Sequence, residues 1–162
     1  MIRIEVPGAL RYRDIALRAV SAACRMVAPP SRPAALEDLS SKVMSAFGEA
    51  FNNIAIHGYR NRQGIVRVEI EPHVDRIVLR LCDFGVSFDP RTVPPPPRGA
   101  LLERGVGTFI INSFMDRVAY RAGRLNVLEM TKHLGPARTP VSPRTRRVKR
   151  KRKMRAGKAV AT

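Results

Sequence analysis

Three groups of residues in this 162-residue chain have the types and spacing to do chemistry. The first is Glu49, Asn53 and His57, at i, i+4 and i+8. In a helix these positions stack along one face. A carboxylate there can act as a base. An amide oxygen one turn away can ligate Mg2+, which takes hard oxygen ligands and keeps several of its waters. Asn prefers caps and turns, so the pair Asn52-Asn53 in mid-helix calls for a reason, although a solvated helix face would also show such a stripe. The second group is Cys82-Asp83-Phe84-Gly85-Val86-Ser87-Phe88. Asp83 ends an apolar strand pattern, where a carboxylate can accept a hydrogen bond from an adenine amino group. Gly85 would let the backbone approach such a base closely. An ordinary turn would use similar residues. The third group is Glu103-Arg104-Gly105-Val106-Gly107-Thr108, directly before an apolar helical segment. Glycines there free backbone N–H groups to cradle phosphate, and a helix N-terminus favours the negative charge. The spacing fits neither the P-loop nor the dinucleotide-binding fingerprint.

The segments that must position these groups follow from hydrophobic period and breakers. Ile2, Ile4 and Val6 alternate with Arg3 and Glu5, a strand that Pro7-Gly8 ends. Ala16, Val20, Ala23 and Val27 predict a helix over 12–27, stopped by Pro29, Pro30 and Pro33. Leu36, Leu39, Val43, Phe47, Phe51 and Ile54 predict a helix over 35–56, with His57-Gly58 as its end. Alternating runs over 65–70 and 77–82 read as a hairpin turning at 72–76. Residues 89–107 form a long loop holding the four prolines Pro94–Pro97; loops of that length usually have a function. A helix over 108–115 and strands over 117–121 and 126–130 complete the body. The order β-α-α-β-β-loop-α-β-β predicts an α+β fold, a two-layer α/β sandwich with a mixed sheet and helices on one face. The sequence shows no internal repeat.

Charge divides the chain in two. The net charge is +17, yet all 13 acidic residues precede residue 130, and residues 138–162 hold 11 Lys or Arg and no acid. The folded domain is expected over 1–135. Residues 136–162, rich in Pro and then in basic residues, cannot bury enough apolar surface to fold alone and are expected to be disordered. A tail of that charge attracts polyanions, so non-specific nucleic-acid contact through 138–162 is one expectation. It has no interleaved aromatics for base stacking. Cys24 and Cys82 lie within apolar patterns, away from metal-ligand spacing, and read as reduced core residues of a cytoplasmic protein. No apolar run approaches the ~18 residues that span a bilayer, and residues 1–6 lack the apolar stretch of a secretion signal. No membrane partner is expected.

Taken together, the order and spacing are more specific than any one group. Glu49-Ala50-Phe51-Asn52-Asn53-Ile54-Ala55-Ile56-His57-Gly58-Tyr59, Asp83-x-Gly85 and Gly105-x-Gly107 resemble the three nucleotide boxes of the Bergerat-fold (GHKL) ATPases. Glu-Ala-x-x-Asn-x-x-x-His-Gly-Tyr resembles the anti-sigma factor serine/threonine-protein kinase (RsbW type) form. So do Phe109–Val118 after the glycines and the closing Asn126-Val127-Leu128-Glu129-Met130-Thr131-Lys132. The resemblance covers about residues 2 to 134. It implies ATP and Mg2+ as cofactors, and transfer of phosphate to a Ser or Thr of an anti-anti-sigma (STAS-type) protein, with a sigma factor as the sequestered partner. It implies Glu49 as general base, Asn53 as the Mg2+ ligand, and Asp83 as the adenine reader with Asn126 helping through water. Gly105, Val106, Gly107 and Thr108 would meet phosphates, Arg104 the γ-phosphate, and 89–104 would be a lid. Arg18 matches a partner-contact position, and relatives are often homodimers. The family's second box usually reads Asp-x-Gly-x-Gly. Here Ser87 replaces the last Gly, at a cost if φ there must be positive. Ser87 and the proline-stiffened lid are what a non-catalytic ATP-binding module would show, whereas Glu49 and Asn53 suit a kinase. A nucleic-acid-associated regulator acting through its tail is the third reading.

Overall fold

A computed structural model describes residues 1–27, 33–60, 62–87 and 105–135. The expected lid over 89–104, Arg104 within it, and the basic tail lie outside the described residues.

Alternation at the N-terminus gives β1 (Ile2–Pro7). A 3-10 turn over Leu10–Tyr12 leads into α1 (Arg13–Cys24), shorter at both ends than the predicted helix. Helix α1 buries Ala16, Val20 and Ala23 as their spacing required. Helix α2 (Pro33–Asn53) buries Leu39, Val43, Phe47 and Phe51 along one stripe. It then widens into a π turn over Ile54–Gly58, closed by the Tyr59 N–H donating to the Ile54 carbonyl at 2.8 Å. Strands β2 (Ile65–Pro72) and β3 (Arg76–Asp83) form the expected hairpin. Helix α3 (Val106–Phe114) precedes β4 (Arg117–Arg121) and β5 (Asn126–His133), which runs three residues beyond its predicted end.

The α+β reading holds, but the sheet is not mixed. Its order is β1-β2-β3-β5-β4, and every pairing is antiparallel. Strand direction depends on pairing between distant segments, which local period does not encode.

The pleat sorts side chains between two faces. Val6, Val68, Leu81 and Leu128 fill one face, as do Ile70, Leu79 and Met130, and these join Val20, Val43, Phe47 and Phe51 of the helices in a single core. The opposite face carries charge in cross-strand pairs: Glu5 with Arg67 at 2.9 Å and Arg3 with Glu69 at 3.0 Å. On the same face Arg80 bridges Glu71 at 2.6 Å and Glu129 at 2.7 Å. The core rows have one consequence for function. Leu79 pairs with Met130, Leu81 with Leu128, and the next pair in that row is Asp83 with Asn126. Period two therefore aims Asp83 and Asn126 at the helix layer, where the apolar row ends in two polar side chains.

Candidate nucleotide site

Asp83 is 5% exposed and Asn126 is 1% exposed. Burial of such groups requires hydrogen-bond partners. Asp83 Oδ1 accepts from the Gly85 N–H at 2.8 Å and from Asn126 Nδ2 at 3.1 Å. No donor among the described residues reaches its other oxygen. Burial pushes the Asp83 carboxyl above the ordinary carboxylate value, although the hydrogen bonds from Asn126 and Gly85 pull the other way. Asp83 lines a cleft together with Asn53, Ile54, Gly58, Tyr120 and Leu128. The cleft is thus a narrow apolar slot with one buried carboxylate that can still accept a hydrogen bond.

Glycine at position 85 is required by packing. A Cβ there would sit 2.6 Å from the carbonyl carbon of Gly58. The contact lets the Val86 N–H donate to the Gly58 carbonyl at 2.9 Å, so the end of β3 is fastened to the end of the π turn. The close approach seen at Gly85 is to this backbone. Ser87 carries no penalty for replacing a glycine, because the only non-glycine residue with positive φ among the described residues is Arg60. Its hydroxyl donates to Asn126 Oδ1 at 2.7 Å. Asn126 in turn donates to Asp83 through its Nδ2.

Tyr59 is a site residue to which the sequence reading gave no role. Its hydroxyl donates to the Ile65 carbonyl at 2.6 Å and accepts from the Phe84 N–H at 3.1 Å. Its ring fills the space left by the missing side chains of Gly8 and Gly64. It fixes the chain immediately after Asp83. The signal was present in Gly58-Tyr59, but its partners lie in three separate segments.

Glu49 and Asn53 lie together on α2, facing α3 and the cleft. A Cβ on Gly107 would come within 2.5 Å of Glu49 Oε2, so the carboxylate rests against the first turn of α3. Neither side chain has a hydrogen bond or ion pair within the described residues. The paired asparagines divide their work: Arg13 Nη1 donates to Asn52 Oδ1 at 3.3 Å, tying α2 to α1, while Asn53 lines the cleft. His57 does not continue the stripe into the cleft. It stands exposed on the π turn, beside Ile56, Arg60 and Ser87 at a second depression. A π turn spreads residues wider than the 3.6-residue period, so an i+8 neighbour is rotated off the face.

Gly105 takes a left-handed φ of 83° as the N-cap of α3, and no side chain among the described residues caps that end. The N–H groups of Val106, Gly107 and Thr108 open the helix without intrahelical acceptors. Such an end suits an anion. Thr108 is buried, and its hydroxyl donates to the Gly105 carbonyl at 3.1 Å, which braces this turn. Arg18 is exposed on α1, in a shallow groove with Leu17 and Met44. No group of three or more His, Cys, Asp or Glu among the described residues could hold a metal by itself. The donor set fits Mg2+ only as one amide oxygen completed by phosphates and water, which is an arrangement Mg2+ favours. No helix among the described residues is long and apolar enough to cross a membrane. Cys24 and Cys82 are buried and unpaired, and burial pushes the Cys24 thiol up to about 11.

The chain is similar to known proteins over most of this domain. Residues 14–132 match the family described as histidine kinase-like ATPase domain. An anti-sigma F factor of Clostridium beijerinckii is 34% identical over 84 residues, covering 49% of this chain and 59% of that protein. A serine-protein kinase RsbW of Bacillus cereus is 32% identical over 97 residues, covering 55% and 61%. A serine-protein kinase RsbW of Staphylococcus aureus is 29% identical over 143 residues, covering 82% and 86%. The chain spans about three fifths of the length of the first two relatives. A matched span from α1 to β5 takes in Glu49, Asn53, Asp83 and the glycines before α3, and so the chain belongs to the histidine kinase-like ATPase domain family, with its similarity directed to anti-sigma and serine-protein kinase members.

Proposed function

We propose that this chain is an ATP- and Mg2+-dependent serine/threonine protein kinase that acts as an anti-sigma factor. In this reading it phosphorylates an anti-anti-sigma (STAS-type) protein and sequesters a sigma factor. The observation that carries the reading is the pairing of two carboxylates with different surroundings. Asp83 is buried at the cleft wall with one oxygen held and the other without a donor among the described residues. Glu49 is half-buried, rests against the first turn of α3, and has no partner within the described residues. A domain that only held nucleotide would need the first carboxylate and have little use for the second.

Each residue has a task of its own. Asp83 accepts a hydrogen bond from the adenine amino group. Ile54, Tyr120 and Leu128 enclose the base and keep water from it. The amides of Val106, Gly107 and Thr108 face the phosphates, and Asn53 offers its side-chain oxygen to Mg2+. When bound, the nucleotide and its metal supply the phosphoryl group and neutralise its charge. Glu49 takes the proton from the acceptor hydroxyl as that oxygen bonds to the γ-phosphorus and the bond to the β-phosphate oxygen breaks, leaving ADP. Phosphoryl transfer depends mainly on such positioning and charge stabilisation.

The test is to incubate the full chain with labelled ATP, Mg2+ and candidate STAS-type proteins, and to assay phosphoserine and phosphothreonine. Glu49→Gln is expected to keep nucleotide binding and lose transfer by at least about a hundredfold, the usual worth of a general base. ATP binding with no transfer to any STAS-type protein would favour a binding module. No ATP or ADP binding by calorimetry would remove both readings.

A further inference from the structure

Ser87 is the outermost member of a hydrogen-bonded chain that ends on Asp83. Its side chain is exposed, yet its hydroxyl donates inward to Asn126 Oδ1 at 2.7 Å. The Gly123 N–H donates to the same oxygen at 3.3 Å. On the other side, Asn126 Nδ2 donates to Asp83 Oδ1 at 3.1 Å and to the Gly85 carbonyl at 2.9 Å. Two donors face the amide oxygen and two acceptors face the amide nitrogen. Turning this amide over would set its oxygen against a carboxylate and a carbonyl. Its orientation is therefore determined by four partners, and that orientation decides that Asp83 meets a donor on its inner side.

We propose that Ser87 is a specificity-determining positioning residue. Through Asn126 it holds Asp83 as a fixed hydrogen-bond acceptor, and so selects purine nucleotides with a 6-amino group over those with a 6-oxo group. The proposal rests on the nucleotide reading above. A 6-amino group presents a donor to the oxygen of Asp83 that no described donor reaches, whereas a 6-oxo group presents an acceptor to the same oxygen. The selection is only as strong as the hold on Asp83. A carboxylate free to rotate, or to take up a proton on losing its donor, could accommodate either base. Ser87 supplies one of the two donors that orient Asn126, and the residue opposite Asp83 in the sheet is Asn126 itself. The position read from sequence as a departure from a glycine box is thus the place where the site's acceptor is secured.

The experiment is calorimetric titration of the full chain with ATP and with inosine triphosphate, each with Mg2+. Ser87→Ala, Ser87→Gly and Ser87→Thr are compared with the unsubstituted protein. The side chain is exposed, so these variants are expected to fold, and matching melting curves check this. The unsubstituted chain is expected to prefer ATP by at least about a hundredfold, since a buried acceptor facing an acceptor is costly. Ser87→Ala and Ser87→Gly are expected to narrow the ratio by about threefold to tenfold, the worth of one neutral hydrogen bond. Ser87→Thr, which keeps the hydroxyl, is expected to retain it. A ratio unchanged in Ser87→Ala, or affinity lost equally for both nucleotides, overturns the proposal and leaves the nucleotide reading intact. Failure of the unsubstituted chain to bind either nucleotide overturns both.

Discussion

Asp83 is held in place at a cost to folding. Its folded pKa is raised by burial, so its charge opposes folding at neutral pH, and that opposition fades as pH falls toward the ordinary carboxylate value and the folded form takes up its proton. Asp83→Asn keeps the shape and removes the charge. It is expected to raise the melting temperature at pH 7, to show a smaller gain near pH 4.5, and to weaken ATP binding at least tenfold. Melting curves at the two pH values and calorimetry at pH 7 check this. The candidate carboxylates, Glu49 and Asp83, were legible from residue type and spacing. The partners of Asp83 were less so, because the sequence separates it from Asn126 by 43 positions and only the antiparallel pairing of β3 with β5 sets them side by side. Tyr59 was unassigned for the same reason: its hydroxyl joins Ile65 to Phe84, and no local pattern encodes that junction.

At the scale of elements, α2 and α3 meet where Glu49 touches Gly107. The atom that a Cβ on Gly107 would strike is the free end of a carboxylate, which can swing aside at little cost. Gly107→Ala also gains helix propensity, on the order of 0.5–1 kcal/mol. This variant is therefore expected to melt at the same temperature or slightly higher. If Glu49 is the base, as proposed, displacing it by an ångström or so is expected to cost transfer at least about tenfold. A thermal melt beside a phosphorylation assay distinguishes this from simple misfolding. The helices themselves were legible, since Val20, Val43, Phe47 and Phe51 repeat at helical spacing and are all buried. The π turn was not. Ile54 to Gly58 continue the polar-apolar pattern of α2 without a break in composition, and the widened turn ends where Gly58 packs against Gly85, a contact between distant segments. His57 was consequently assigned to a stripe that it leaves.

Over the whole molecule, the outer face of the sheet is laced by ion pairs and the inner face is apolar. The hydrogen bond from Arg80 holds Glu71 below its ordinary carboxylate value. Burial raises Asp116, but hydrogen bonds from Lys132 and the His133 N–H outweigh it and bring Asp116 below its ordinary value too. For carboxyls lowered in this way, the stabilisation is complete above the unfolded pKa and is lost as pH falls through the folded one. The chain is therefore expected to lose stability below about pH 4. Arg80→Met, which releases Glu71, is expected to shallow that decline, and denaturant titrations between pH 3 and 6 would measure it. The alternation that separates these faces was plain in the sequence, while the uniformly antiparallel order was not, because pairing partners such as Ile2 and Ile70 lie far apart.

The row that runs Leu79, Leu81, Asp83 on β3 and Met130, Leu128, Asn126 on β5 makes the cleft the unfinished last layer of the hydrophobic core. A flat ring seated there completes that layer, so its arrival has the thermodynamics of a small folding step. ATP binding is expected to carry a negative heat-capacity change, with its enthalpy growing more favourable as temperature rises. Titrations at a series of temperatures would show this as a falling line. A flat line would mean that the bound ligand is held by its phosphates alone and leaves the end of the core open to water.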